Sequence, residues 1–162
     1  MSSSNHVVIQ SARDLHCGEH ISWPTQALSG ITRHHAIVLA WKGQNIVRVI
    51  HVTSKEDEPE QYGVCEELVD VEVHIRQGTL YRYEYDPDAC YEPFDVVRRA
   101  ASKIGQFEYS LWGNNCEHFV RWCITDKSKS SQAQLAIGIG STAAGAVVVG
   151  AAGTLVGLFH CR

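Results

Sequence analysis

The sequence predicts an α+β fold, an antiparallel β-sheet packed with helices, followed by one C-terminal transmembrane helix. Three observations predict it. Short apolar or alternating runs are separated by turn residues, two later stretches carry apolar residues at helical spacing, and residues 135–159 carry no charge. The chain has 162 residues, 44% hydrophobic and 20% charged, enough for one domain with its own core. That composition excludes a collagen-like, proline-rich or wholly disordered chain. With 14 basic against 18 acidic residues, no basic excess exists to neutralise phosphates, which argues against a nucleic-acid partner.

Residues 1–16 read as a loose lead-in, without an apolar stretch long enough for a secretory signal. Gly18 to Trp23 is a short strand candidate stopped by Pro24. The run His35-Ala36-Ile37-Val38-Leu39-Ala40-Trp41 is apolar on both faces, as a strand inside a sheet should be. Lys42 to Asn45 is a turn and Ile46 to Thr53 the returning strand, so the pair reads as a β-hairpin. Ser54 to Gln61 is a charged surface loop. Leu68 to Ile75 alternates closely enough to be a strand, and Thr79 to Tyr85 is another beyond the turn at Gly78. Pro93 to Ile104 starts on proline and ends before Gly105, which fits a helix with Phe94, Val97, Ala101 and Ile104 on its inner face.

The last element is apolar. Every Asp and Glu precedes residue 127, and residues 135–159 would span about 37 Å as a helix, enough to cross a hydrocarbon core of about 30 Å. Its small-xxx-small pairs (Ser141/Gly145, Ala146/Gly150, Gly153/Gly157) suit helix contacts in lipid. Lys127 and Lys129 precede it and Arg162 follows, which places the domain on the cytoplasmic side. The expected organisation is a lead-in at 1–16, a catalytic domain at 17–125, a linker at 126–134 and a single-pass anchor at 135–159. Six cysteines without a CxxC pair read as reduced thiols.

The chemistry concentrates in Asn115-Cys116-Glu117-His118-Phe119-Val120-Arg121-Trp122-Cys123. Asn115 suits an N-cap, and Phe119, Val120, Cys123 and Ile124 fall at helical spacing after Cys116. A thiol at a helix start meets free N–H groups that favour thiolate, and the N–H groups at Asn115 and Cys116 suit a developing oxyanion. A thiolate nucleophile also needs an imidazole beside it. His34 or His35 opens one hairpin strand and His51 closes the other, so antiparallel pairing brings one of the two beside His51. Alternation alone does not choose between them.

Asn115-Cys116-Glu117-His118-Phe119-Val120 resembles the signature of the lecithin–retinol acyltransferase-like family, nearest to its H-Ras-like suppressor phospholipase/acyltransferase branch. Arg33-His34-His35-Ala36-Ile37-Val38-Leu39 resembles that branch's Arg-His-Trp-Ala strand, with His35 in the tryptophan position. Val49-Ile50-His51-Val52 is similar to its Val-Val-His-Leu, and Gly18-Glu19-His20-Ile21 to its Gly-Asp-Leu-Ile. The resemblance implies a circularly permuted papain-like (NlpC-type) thiol hydrolase fold and a Cys–His–His triad of Cys116, His34 and His51. It implies attack on a glycerophospholipid ester, an acyl-thioester on Cys116, and passage of the acyl group to water, an amine or a lysolipid. Phospholipid membranes and lipid substrates are the implied partners, at the cytoplasmic face of an intracellular membrane, with no cofactor or metal. Two other readings are a non-catalytic membrane adaptor that keeps the fold and a thiol amidase or peptidase of NlpC type.

Overall fold

The computed structural model describes residues 5–27, 30–54, 62–106 and 116–125. Its strands are β1 (Asn5–Val8), β2 (His20–Ala27), β3 (Gly30–Trp41), β4 (Ile46–Ser54), β5 (Tyr62–Asp70) and β6 (Tyr81–Glu84). Its helices are α1 (Glu72–Arg76), α2 (Pro93–Ala101) and α3 (Cys116–Thr125). The strands form one sheet in the order β1-β6-β2-β3-β4-β5, with every pair antiparallel. This is the expected α+β architecture.

Strand alternation divides the core between two faces. Ile37, Leu39, Ile50, Val52 and Val64 face α2 and α3, where they pack with Val96, Val97, Ala100, Phe119, Val120, Cys123 and Ile124. Ile21, Trp23, Ala36, Val38, Val47 and Val49 face the other way, against Ile9, Ala12, Leu15, Val71 and Leu80. The doubly apolar β3 is thus covered on both sides, which explains its unbroken hydrophobic run.

Several local expectations need correction. The segment 1–16 contributes β1 and a 3₁₀ turn at Ala12–Asp14, and buries Ile9, Ala12 and Leu15. Pro24 does not stop β2, which continues to Ala27 paired with β3. Pairing between β2 and β6 covers Ile21 and Ser22, so Pro24 lies where β2 has a neighbour on one side, a setting that tolerates proline. The strand expected at Leu68–Ile75 ends at Asp70 and gives way to α1. On α2, Val97 is buried, whereas Phe94 is 57% exposed and Ile104, beyond the helix end, 41%. Cys65, Cys90, Cys116 and Cys123 are not disulfide-bonded, but Cys17 is, which departs from reduced thiols throughout. Among the described residues no helix is long and apolar enough to cross a membrane. The transmembrane helix expected at 135–159, the linker at 126–134 and Asn115 lie outside those residues.

Gly18 fixes how α2 meets the sheet. Its φ of +84° is left-handed, and a Cβ there would fall 2.7 Å from the Pro93 Cα and 2.8 Å from the Pro93 carbonyl oxygen. Glycine alone lets the chain before β2 touch the first residue of α2.

Candidate active site

The site is assembled by the seating of α3. Phe119, Val120, Cys123 and Ile124 are buried against the sheet, which holds the first residue of the helix, Cys116, at the margin of β3. Pairing of β3 with β4 begins at Ala36 opposite His51, so the peptide groups preceding Ala36 lack a β4 partner. The Cys116 sulfur occupies that margin. It accepts a hydrogen bond from the His35 backbone N–H at 3.3 Å, and its thiol faces the Arg33 carbonyl oxygen at 3.8 Å. These two peptide groups bracket His34.

Arg33 locks this end of β3 in place. Its Nε donates to Ser22 Oγ at 2.9 Å, and its Nη2 donates to the carbonyls of Ser22 at 2.8 Å and Thr79 at 2.7 Å. The guanidinium also lies 3.9 Å above the Tyr81 ring.

The two neighbouring histidines go to opposite faces. His34 Nε2 is 2.6 Å from His51 Nδ1, with the rings edge to face, and Trp23 lies beside His34 at 5.0 Å between centroids. His51 Nε2 lies 3.0 Å from a Glu67 carboxylate oxygen. His35 turns towards the helices, where its Nδ1 is 2.8 Å from His20 Nε2 and His20 Nδ1 is 2.6 Å from the Tyr85 hydroxyl. Tyr83 stacks on His20 at 4.2 Å. His51 is therefore partnered by His34, and the alternative left open by strand alternation falls to that residue.

The electrostatics of the thiol differ from expectation. Burial pushes the Cys116 pKa up, and the N–H groups of His35, Glu117 and Cys116 pull it down without reversing the shift. Nearby Glu117 adds to the rise. Burial, followed by the neighbouring His51, lowers His34 to about 4, while Glu67 acts in the opposite sense. His51 is lowered to about 4 by burial. At neutral pH the resting centre is a thiol beside uncharged imidazoles, so an attack by sulfur requires proton transfer to a base.

Glu67, Arg33, His20 and Tyr85 escaped the sequence reading. Glu67 follows another glutamate on an edge strand, and only the β4–β5 register, which sets His51 opposite Cys65, brings it to His51. Arg33 belonged to a quoted motif, but its bonds reach residues on β2 and before β6 that no local pattern signals.

A free thiol at the head of a helix, beside a strand that carries a coupled histidine pair, defines an α+β protein with a candidate thiol–histidine centre. The lecithin retinol acyltransferase family matches residues 13–129, and the chain belongs to that family. Among curated proteins it is 36% identical over 103 residues to human phospholipase A and acyltransferase 2, covering 61% of this chain and 60% of the relative. It is 40% identical over 87 residues to rat phospholipase A and acyltransferase 1, covering 51% of this chain and 50% of the relative. The mouse protein of the same name matches equally. The chain thus spans about half to three fifths of the length of these relatives. No solved structure matches it.

Proposed function

We propose that this chain is a thiol acyltransferase and phospholipase A acting on glycerophospholipids through an acyl-thioester on Cys116. One observation carries the reading: the Cys116 sulfur rests on the peptide groups that bracket His34, and His34 is hydrogen-bonded to His51. The names of the relatives, phospholipase A and acyltransferase, support the same chemistry.

With Nε2 engaged by His51, the nitrogen of His34 left for the thiol proton is Nδ1. His34 takes that proton as the sulfur attacks the ester carbonyl, and negative charge collects on the carbonyl oxygen. The N–H groups at the start of α3, those of Asn115 and Cys116, receive this oxyanion. Collapse breaks the ester C–O bond, and His34 returns the proton to the departing lysophospholipid hydroxyl. Water, an amine or a lysolipid then loses a proton to His34, attacks the thioester and regenerates the thiol. His51 orients His34 throughout. The catalytic domain, in a permuted papain-like arrangement, takes in β1 and the 3₁₀ turn together with residues 17–125, and 135–159 anchor it to the cytoplasmic face of an intracellular membrane.

The test supplies the purified chain with labelled phosphatidylcholine vesicles and follows fatty acid and lysolipid release. Wild type releases both, and Cys116→Ala and His34→Ala release neither above background. Release that persists unchanged in Cys116→Ala refutes the reading.

A further inference from the structure

The orienting histidine of the candidate triad belongs to a second constellation. His51 and Cys65 stand opposite each other on β4 and β5, and Glu67 follows Cys65 by two residues, so all three share one face of the sheet. A ring nitrogen of His51, the Cys65 sulfur and a Glu67 carboxylate oxygen all lie within 4.8 Å of one another, and it is Nε2 that approaches Glu67, at 3.0 Å. His51 is 4% exposed, and its Nε2 is a buried nitrogen without a hydrogen bond. The Glu67 oxygen is 3.0 Å away, yet among the described residues Nε2 has no hydrogen-bond partner. The Cys65 thiol has a long 3.9 Å contact to the Gly63 carbonyl.

We propose that His51, Cys65 and Glu67 bind a divalent cation of the zinc class, and that the bound ion switches the triad off. An imidazole, a thiolate and a carboxylate form a mixed nitrogen, sulfur and oxygen set suited to zinc, whereas magnesium and calcium prefer oxygen alone. Three protein ligands leave a fourth position for water. Glu67 is half exposed and gives the ion a route from solvent. A rotation of the Cys65 side chain brings the sulfur into range. On binding, the Cys65 thiol releases its proton to solvent, and the ion sits between the thiolate and a carboxylate that otherwise repel each other.

The switch follows from where ring protons must sit. Without metal, His34 Nε2–H donates to His51 Nδ1, the His51 proton is on Nε2, and His34 Nδ1 is free to accept the thiol proton. A metal on His51 Nε2 moves that ring's proton to Nδ1, which then donates to His34 Nε2. The His34 proton in turn moves to Nδ1. Neutral His34 then has no vacant nitrogen to take the thiol proton. Each ring keeps one proton, so the net change is the one lost by Cys65. The switch rests on the function proposed above; the metal site does not.

The binding test uses the full chain carrying Cys116→Ala, titrated with Co²⁺ alone. We expect a thiolate-to-cobalt charge-transfer band that saturates at one ion per chain, is lost on adding Cys65→Ser, and is weakened at least tenfold by Glu67→Gln. Glu67 is exposed enough that its replacement leaves the fold intact, as circular dichroism will show. No band, or a band unchanged in both variants, overturns the site. For the switch, phospholipid cleavage is measured with and without Zn²⁺. Wild type should lose at least tenfold and recover with EDTA, whereas the ratio should stay near one in Cys65→Ser. Equal inhibition in both overturns the switch. Absence of any cleavage before zinc is added refutes the proposed function instead, and the cobalt titration still decides the site.

Discussion

At the residue scale the proposed chemistry rests on the hydrogen-bonded His34–His51 pair and on the Cys116 sulfur, which contacts the peptide groups on either side of His34. Cys116 starts as a protonated thiol because desolvation outweighs the N–H groups around its sulfur. Its reactivity would therefore depend on a neutral base, the role proposed for His34. Replacing Cys116 by Ala should abolish acyl transfer. His51→Gln should lower kcat by about 10²-fold, within the range general for acid–base groups, with little change in KM. Steady-state kinetics on phosphatidylcholine vesicles checks both, and a His51→Gln variant with wild-type kcat would remove His51 from the mechanism. The cysteine motif and both histidine strands were legible in the sequence. Alternation alone does not choose between His34 and His35, because adjacent strand residues look alike until the partner strand fixes the faces; the motif resemblance selects His34, the residue that pairs with His51. The raised thiol pKa was hidden, since motif spacing registers the helix start but not the burial of its first residue.

At the scale of elements, the seating of α2 and α3 sets the geometry, and the sequence revealed it unevenly. The spacing of Phe119, Val120, Cys123 and Ile124 identified the buried face of α3, and all four are buried. The segment Leu68–Ile75 reads as one strand because α1, with 5 residues, is too short to display a helical period beside the alternating end of β5. Helical spacing places Phe94 inward, yet it stands in the first turn of α2 and is exposed. Gly18 joins two elements at one point: its positive φ and the 2.7 Å approach to Pro93 oppose any side chain. Gly18→Ala should cost more than about 1 kcal/mol and lower the thermal midpoint. An unchanged midpoint would mean that α2 is not docked through this contact. Deepening the cut in the core, Phe119→Ala should cost about 3–5 kcal/mol in chemical denaturation, because it empties the centre of the layer that holds α3.

For the whole molecule, buried histidines link stability to pH. His20 is lowered to about 2, first by burial and then by His35, and His35 is lowered to about 4 chiefly by burial. In the unfolded chain both take up protons below about 6.5. The unfolded state therefore binds more protons as the pH falls from about 6.5 towards 4, and stability declines across that window. Urea midpoints at pH 7.5 and 5 should differ, and the difference should shrink in His20→Leu/His35→Phe. An equal difference in that variant would place the dependence elsewhere. The apolar segment at 135–159 makes a separate prediction: removing it should release the chain from phospholipid vesicles in flotation, while the domain keeps its circular dichroism spectrum.

The central claim is a covalent acyl group on one sulfur. Intact-mass spectrometry of the chain after brief exposure to phosphatidylcholine, followed by peptide mapping, should show a single fatty-acyl addition. It should be labile to hydroxylamine and confined to the peptide containing Cys116. An unmodified Cys116 under conditions in which wild type releases fatty acid would contradict it.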